Sequence, residues 1–147
     1  MPKCPVEEIS KDEIRWFANY WMSKCQGRAV PRRDDLAPED LAKLWPHLMI
    51  IDRFEGEYRI RLMGTGLAER YGQDLTGKKT SEAGFGESEP YWISIYDEIS
   101  AGKKPVFGRD SFYWQDREYV KYEWVGVPLS DDGVTVNQLM GCIIFTT

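Results

Sequence analysis

His47 is the only histidine in the chain, so any Ser-His-Asp triad or Cys-His pair would have to be built around it. It lies in a Pro46-His47 junction with no Gly-x-Ser-x-Gly elbow nearby, which leaves nucleophilic catalysis without a setting. One neutral imidazole can also hold a haem iron, but a helix-to-strand junction favours a surface or capping role. The paired carboxylates Asp34-Asp35, Glu39-Asp40 and Asp131-Asp132 could do acid–base work or bind a cation. They stand, however, at expected helix starts and in an expected turn, where carboxylates accept from backbone amides and favour the positive dipole end. Cys4, Cys25 and Cys142 are odd in number and lack CxxC spacing, so three free thiols are expected, with neither a disulfide framework nor a metal site. Gly72-Gln73-Asp74-Leu75-Thr76-Gly77-Lys78-Lys79 nearly matches a phosphate-binding GxxxxGK[ST] loop. Lys79 occupies the hydroxyl position that would hold magnesium, and the segment follows a helical patch where the motif needs a strand. Arg28, Arg32 and Arg33 could hold an anion, yet Asp34 and Asp35 can neutralise them locally as solvated ion pairs.

The elements around these residues can be read from capping signals and periodicity. Ser10-Lys11-Asp12-Glu13 has the S-x-x-E form of a capping box, which starts a helix at Lys11, and Ile9 with Ile14 can form a hydrophobic staple. Ile14, Phe17, Ala18 and Trp21 then repeat at helical spacing until Gly27. Pro38, with Glu39 and Asp40 behind it, opens a short helix that Pro46 stops. Strands follow over Leu48 to Phe54 and Tyr58 to Met63, joined by Glu55-Gly56-Glu57 into a hairpin. In the second strand Tyr58, Ile60 and Leu62 are expected on one face and Arg59 and Arg61 on the other, giving a sheet with one covered and one wet side. A helical patch runs from Gly64 to Tyr71 and closes at Gly72. Trp92, Ile95, Tyr96 and Ile99 mark a longer helix from Ser88 to Ser100. Strands over Val106 to Trp114, Tyr119 to Leu129 and Val134 to Phe145 complete an antiparallel meander.

A chain of 147 residues supports one hydrophobic core. Its net charge of -5 opposes general nucleic-acid binding, which needs clustered Lys and Arg. The sequence has no apolar run approaching the roughly 20 residues of a membrane span and no secretion signal, so no membrane insertion and a cytoplasmic location are expected. Aromatic residues make up 14% of the chain, including six Trp, and such rings either fill cores or line small-molecule pockets.

Three blocks of sequence resemble the PAS superfamily, and within it a PAS-type family of stand-alone bacterial proteins common in alphaproteobacteria. The first is Arg28-Ala29-Val30-Pro31-Arg32-Arg33-Asp34-Asp35-Leu36-Ala37-Pro38-Glu39-Asp40-Leu41, followed by Leu44-Trp45-Pro46-His47-Leu48. The second is Tyr58-Arg59-Ile60-Arg61-Leu62-Met63-Gly64-Thr65-Gly66-Leu67 with Tyr71-Gly72-Gln73-Asp74-Leu75-Thr76-Gly77, whose G-x-x-L-T-G turn also accounts for the apparent phosphate loop. Tyr122-Glu123, Pro128-Leu129-Ser130 and Asp132-Gly133 form the third. The resemblance implies an α+β fold: a PAS-like five-stranded antiparallel sheet with a helical insertion, in a domain over 28–147, preceded by an N-terminal flanking helix over 1–27. It also implies sensing of a ligand, redox state or light, and docking onto signalling proteins. No kinase, cyclase or DNA-binding segment follows the last strand, so output is expected in trans, through a kinase or other regulator. The flavin-reactive cysteine setting, Asn-Cys-Arg-Phe, is not found around Cys4, Cys25 or Cys142, and the cofactor is left unknown.

The leading expectation is therefore a non-enzymatic PAS regulator with a pocket for a small apolar or amphipathic ligand. Its candidate pocket residues are Ile60, Leu62, Tyr71, Trp92, Ile95, Trp114 and Trp124. A filled core without a ligand is the plain alternative. A second function class is a small enzyme on a cone-shaped ketosteroid-isomerase-like α+β fold, which would need Asp110 or Glu123 buried, unpaired and facing a cavity. The stripe Ile14, Phe17 and Trp21 needs cover, and the expectation is a homodimer in which these residues contribute the contact.

Overall fold

A computed structural model describes residues 3–112 and 120–146. Helix α1 (Asp12–Cys25) precedes strands β1 (Leu48–Phe54) and β2 (Glu57–Met63). Helices α2 (Thr65–Tyr71) and α3 (Glu89–Gly102) follow, then β3 (Val106–Phe112), β4 (Val120–Leu129) and β5 (Gln138–Thr146). The strands form one five-stranded sheet in the order β2-β1-β5-β4-β3, antiparallel at every pairing. This is the α+β architecture expected from the sequence.

The hairpin turns on Glu55 and Gly56, at φ of 52° and 79°, the positive values that a two-residue turn matched to strand twist requires. Farther along, Ile51 pairs with Ile60 but Ile50 pairs with Leu62, so Arg61 is an extra residue on β2. This bulge breaks the expected alternation. Tyr58 and Ile60 point inward, but beyond the bulge Met63 takes the inward place and Leu62 is 37% exposed.

Both faces of the central strands are buried, which corrects the expectation of one wet side. Leu48 and Ile50 of β1, Val125 and Val127 of β4, and Met140 and Cys142 of β5 pack with α1. The alternating residues Met49, Ile51, Trp124 and Leu139 pack with α2 and α3. The uninterrupted apolar run Leu48-Met49-Ile50-Ile51 is the sequence signature of such a doubly covered strand. Arg59 and Arg61 are exposed, but they belong to the edge strand β2.

Ile14, Phe17 and Trp21 are 0%, 0% and 4% exposed within the single chain. They lie on β4 and β5, and the Trp21 indole N–H donates to the Pro128 carbonyl at 2.7 Å. Burial of three such side chains stabilises the fold by about 1.5–3 kcal/mol each. The chain's own sheet therefore covers the stripe that was expected to meet a second copy, and a dimer through these residues would require α1 to leave it.

The start of α1 is capped from outside the helix. The helix begins at Asp12, and Glu123 of β4 accepts from the Ser10 amide, the Ser10 hydroxyl and the Lys11 amide at 2.7–3.0 Å. Ser10 thus donates to a distant carboxylate where a local box with Glu13 was expected. Ile9 and Ile14 are both buried in one cluster, as a staple requires.

Residues between Pro38 and His47 form 3-10 turns over Pro38–Leu41 and Trp45–His47 where one short helix was expected. β5 begins at Gln138, four residues after the expected Val134. Asp132 accounts for the delay: its carboxylate accepts from the Val134 and Thr135 amides at 2.8 Å and holds 132–135 as a turn. Those two amides and the Ser130 hydroxyl hold its carboxyl down at about 2. The strand ends expected at Trp114 and Tyr119 lie outside the described residues.

A loop segment lies against part of each edge strand. Lys78 and Lys79 run beside β2, with the Ile60 amide donating to the Lys78 carbonyl at 2.8 Å. Lys3 and Cys4 run beside β3, with the Cys4 amide donating to the Phe107 carbonyl at 3.0 Å. The phosphate-loop lookalike is thus a β2 edge cover, which suppresses strand-to-strand association.

Candidate functional site

Two helices and the sheet leave a space between them. α3 lies close to β4, where a Cβ on Gly126 would stand 2.6 Å from Ile99 Cδ1, so glycine is what lets the helix approach. Tyr91, Trp92 and Tyr96 of α3 line a space between that helix and the sheet. The cavity so formed measures about 580 Å³, the size of a small-molecule site. Met49, Met63 and Ile143 line its sheet side, Leu67 and Tyr71 come from α2, and Phe85 comes from the connection before α3. A second space of about 60 Å³ lies against Ile95, Trp124 and Gly126 and shares Met49, Trp92, Tyr96 and Ile143 with the first.

The walls are aromatic and their rings are mutually oriented. Trp92 meets Tyr91 at 5.2 Å and Trp124 at 5.4 Å, both edge-on. Tyr122 and Phe145 lie 5.8 Å apart, and the Arg70 guanidinium sits 5.0 Å over Phe145.

A few polar groups interrupt this apolar surface. Tyr71 donates to the Ala83 carbonyl, Ser88 donates to the Phe85 carbonyl at 2.6 Å, and the Tyr122 hydroxyl lies 3.5 Å from Asp110. Tyr91 Oη is buried and has no hydrogen-bond partner among the described residues. Burial, reinforced by the Asp110 and Glu98 carboxylates, pushes the Tyr91 phenol up to about 12, so it keeps its proton at neutral pH. Burial and the nearby Asp110 raise Tyr122 as well.

The candidate pocket residues are distributed as follows. Tyr71 and Trp92 line the large cavity, and Trp92, Ile95 and Trp124 line the small one. Ile60 is fully buried in the core beside them without reaching either surface, and the bulge turns Leu62 away. Trp114 lies outside the described residues. Sequence reading missed Met49 and Met63 because an apolar run and a bulge hide which face each residue takes. It missed Tyr122 and Phe145 because the face of the last strands was left open. Pairing Tyr122 with Phe145 across β4 and β5 resolves that ambiguity.

The two carboxylates considered for catalysis take different places. Glu123 lies on the α1 side of the sheet, with Ser10, Lys11 and Arg109 as partners, so it is neither unpaired nor near the cavity. Asp110 lines the cavity and is engaged by Tyr122. His47 lines neither space. Asp35 caps the Arg32 amide at 2.8 Å and pairs with Arg28, which itself donates to the last carbonyls of α1. The Arg28-to-Asp35 block is therefore a helix terminator.

The strand order and the helices on both faces of the sheet define a five-stranded antiparallel fold of the α+β class. A family model described as PAS domain matches residues 9–144, and the chain belongs to the PAS family. Among solved structures it is similar to the PAS domain of Bordetella pertussis BvgS, with a TM-score of 0.54 at 18% identity, covering 74% of this chain and 88% of that one. A flavin-analogue light-oxygen-voltage domain aligns with a TM-score of 0.56 at 14% identity, over 74% of this chain and 83% of the other. A sensory box sensor histidine kinase from Vibrio cholerae gives 0.50 at 19% identity, over 74% and 91%. No curated protein matches the chain's sequence at a significant level. At these identities the likeness carries the fold alone. It replaces the cone-shaped isomerase-like fold of the enzyme alternative. PAS domains are typically sensory or signalling modules. Among the described residues, no helix is long and apolar enough to cross a membrane.

Proposed function

We propose that this PAS domain is a regulatory module that binds a small amphipathic molecule in the α2–α3 cavity and controls a signalling protein such as a kinase. The observation that carries this reading is the cavity of about 580 Å³, apolar over most of its wall with a few convergent polar groups. The ligand acts by population shift: it favours whichever arrangement of α2, α3 and the sheet it fits better. The reading places the molecule in the cytoplasm and includes self-association as a homodimer, with a contact other than Ile14, Phe17 and Trp21. It assigns no catalytic step.

The test is to fill the cavity. Ile143 lines both spaces, and Ile143→Trp adds volume where volume is available. A polarity-sensitive naphthalene fluorophore should bind the wild type with saturable one-to-one stoichiometry and bind I143W at least about tenfold more weakly, with unchanged circular dichroism. Equal binding to the two proteins would remove the cavity from the account.

A further inference from the structure

One wall of the large cavity carries opposite charges at its two ends. Phe145 of β5 pairs with Tyr122 of β4, and Tyr122 pairs with Asp110 of β3, so the three stand in one row across the sheet, and all three line the cavity. Neighbouring strands lie about 4.8 Å apart, which sets the ends of the row about 10 Å from each other. At the Phe145 end the Arg70 guanidinium lies 5.0 Å over the ring. At the other end stands the Asp110 carboxylate, with the Tyr122 hydroxyl 3.5 Å from it.

Helix α2 sets the place of Arg70. Leu67 and Tyr71, four residues apart, line the cavity, and Arg70, three residues after the first and one before the second, borders that face of the helix. Its side chain is half-buried. The Phe145 ring attracts the cation but offers no lone pair to its five N–H donors. Among the described residues Arg70 makes no hydrogen bond or ion pair. A guanidinium can engage a carboxylate or phosphate through two parallel bonds, each about twice as strong as a neutral one. The same acidic group at the opposite end of the row would meet the like charge of Asp110.

We propose that Arg70 is a specificity-determining residue of the cavity and that the ligand is an amphipathic anion, with an apolar body under α2 and α3 and one acidic group at the Phe145 end, on the Arg70 guanidinium. This rests on the reading of the cavity as a ligand site, and deepens it by naming the ligand's charge and the direction in which it lies.

Three probes of similar shape test it by titration calorimetry at low salt: 2-naphthoate, the uncharged ketone 2-acetylnaphthalene, and 2-(aminomethyl)naphthalene, a cation at neutral pH. The acid should bind about tenfold more tightly than the ketone. In Arg70→Gln that preference should shrink to within about twofold, while ketone affinity and circular dichroism stay the same. Arg70→Lys keeps the charge without the fork and should restore at least about a threefold preference, which a merely structural role for the side chain would not do. Ketone binding as tight as acid binding, a preference that survives in R70Q, or an R70K preference no greater than that of R70Q would each overturn the proposal. Tightest binding of the amine would overturn it too, and would transfer the polar contact to Asp110. Binding of none of the three would instead defeat the ligand-site reading, and the inference with it.

Discussion

Glu123 holds the start of α1 from a strand on which α1 rests. Burial pushes its carboxyl pKa up, but the Ser10 hydroxyl, the Ser10 and Lys11 amides and the Arg109 guanidinium outweigh burial and leave it below its ordinary 4.5. A carboxylate whose folded pKa is depressed stabilises the fold fully above its unfolded value and loses that contribution as pH falls through the folded value. Glu123→Gln should therefore cost about 1–3 kcal/mol at pH 7, since hydrogen bonds to a charged acceptor are lost in a buried place. Urea unfolding followed from pH 7 down to pH 3 should show the gap between wild type and E123Q narrowing below about 4.5. A constant gap would mean that the charge contributes nothing. The sequence showed that Ser10 caps a helix but not that its partner stands 113 positions away. Short-range patterns reveal caps whose partner is three residues on, whereas a cap supplied by another element appears only once the chain has folded. Asp35 and Asp132 were legible because their amides lie within three residues.

The helices were readable wherever periodicity ran unbroken, as in α1 and α3. One inserted residue, Arg61, was enough to exchange Leu62 for Met63 at the inner face, since a strand's side chains alternate and a slip of one inverts them. The expected wet face arose from reading an edge strand as typical of the sheet. β2 does alternate between covered and exposed residues, but β1, β4 and β5 are covered on both faces and give no such contrast. The same error sent the α1 stripe to a second copy, because no apolar face seemed available within the chain. Phe17→Ala tests its actual place: the side chain is fully buried on its own sheet, so the variant should lose about 3–5 kcal/mol. The loss should be the same across a hundredfold range of protein concentration in denaturant titrations. A loss that grows with concentration would place the contact between copies, where mass action acts.

At the scale of the molecule, the doubly packed sheet leaves a hollow between α2, α3 and the cavity-facing side of the strands. Cavity-lining residues were only partly legible because a cavity is a property of several elements at once. Tyr71 and Trp92 carry a helical signal, whereas Met49, Tyr122 and Phe145 reach the same wall through strand register. The central claim is that this region is shaped to hold a small molecule, and native mass spectrometry of the protein purified from its source cells tests it most directly. The account predicts a second species heavier by one small molecule, released by mild denaturation and missing from Ile143→Trp prepared in the same way. A wild-type spectrum containing only the unliganded chain, under conditions where weakly bound small molecules survive, would contradict it.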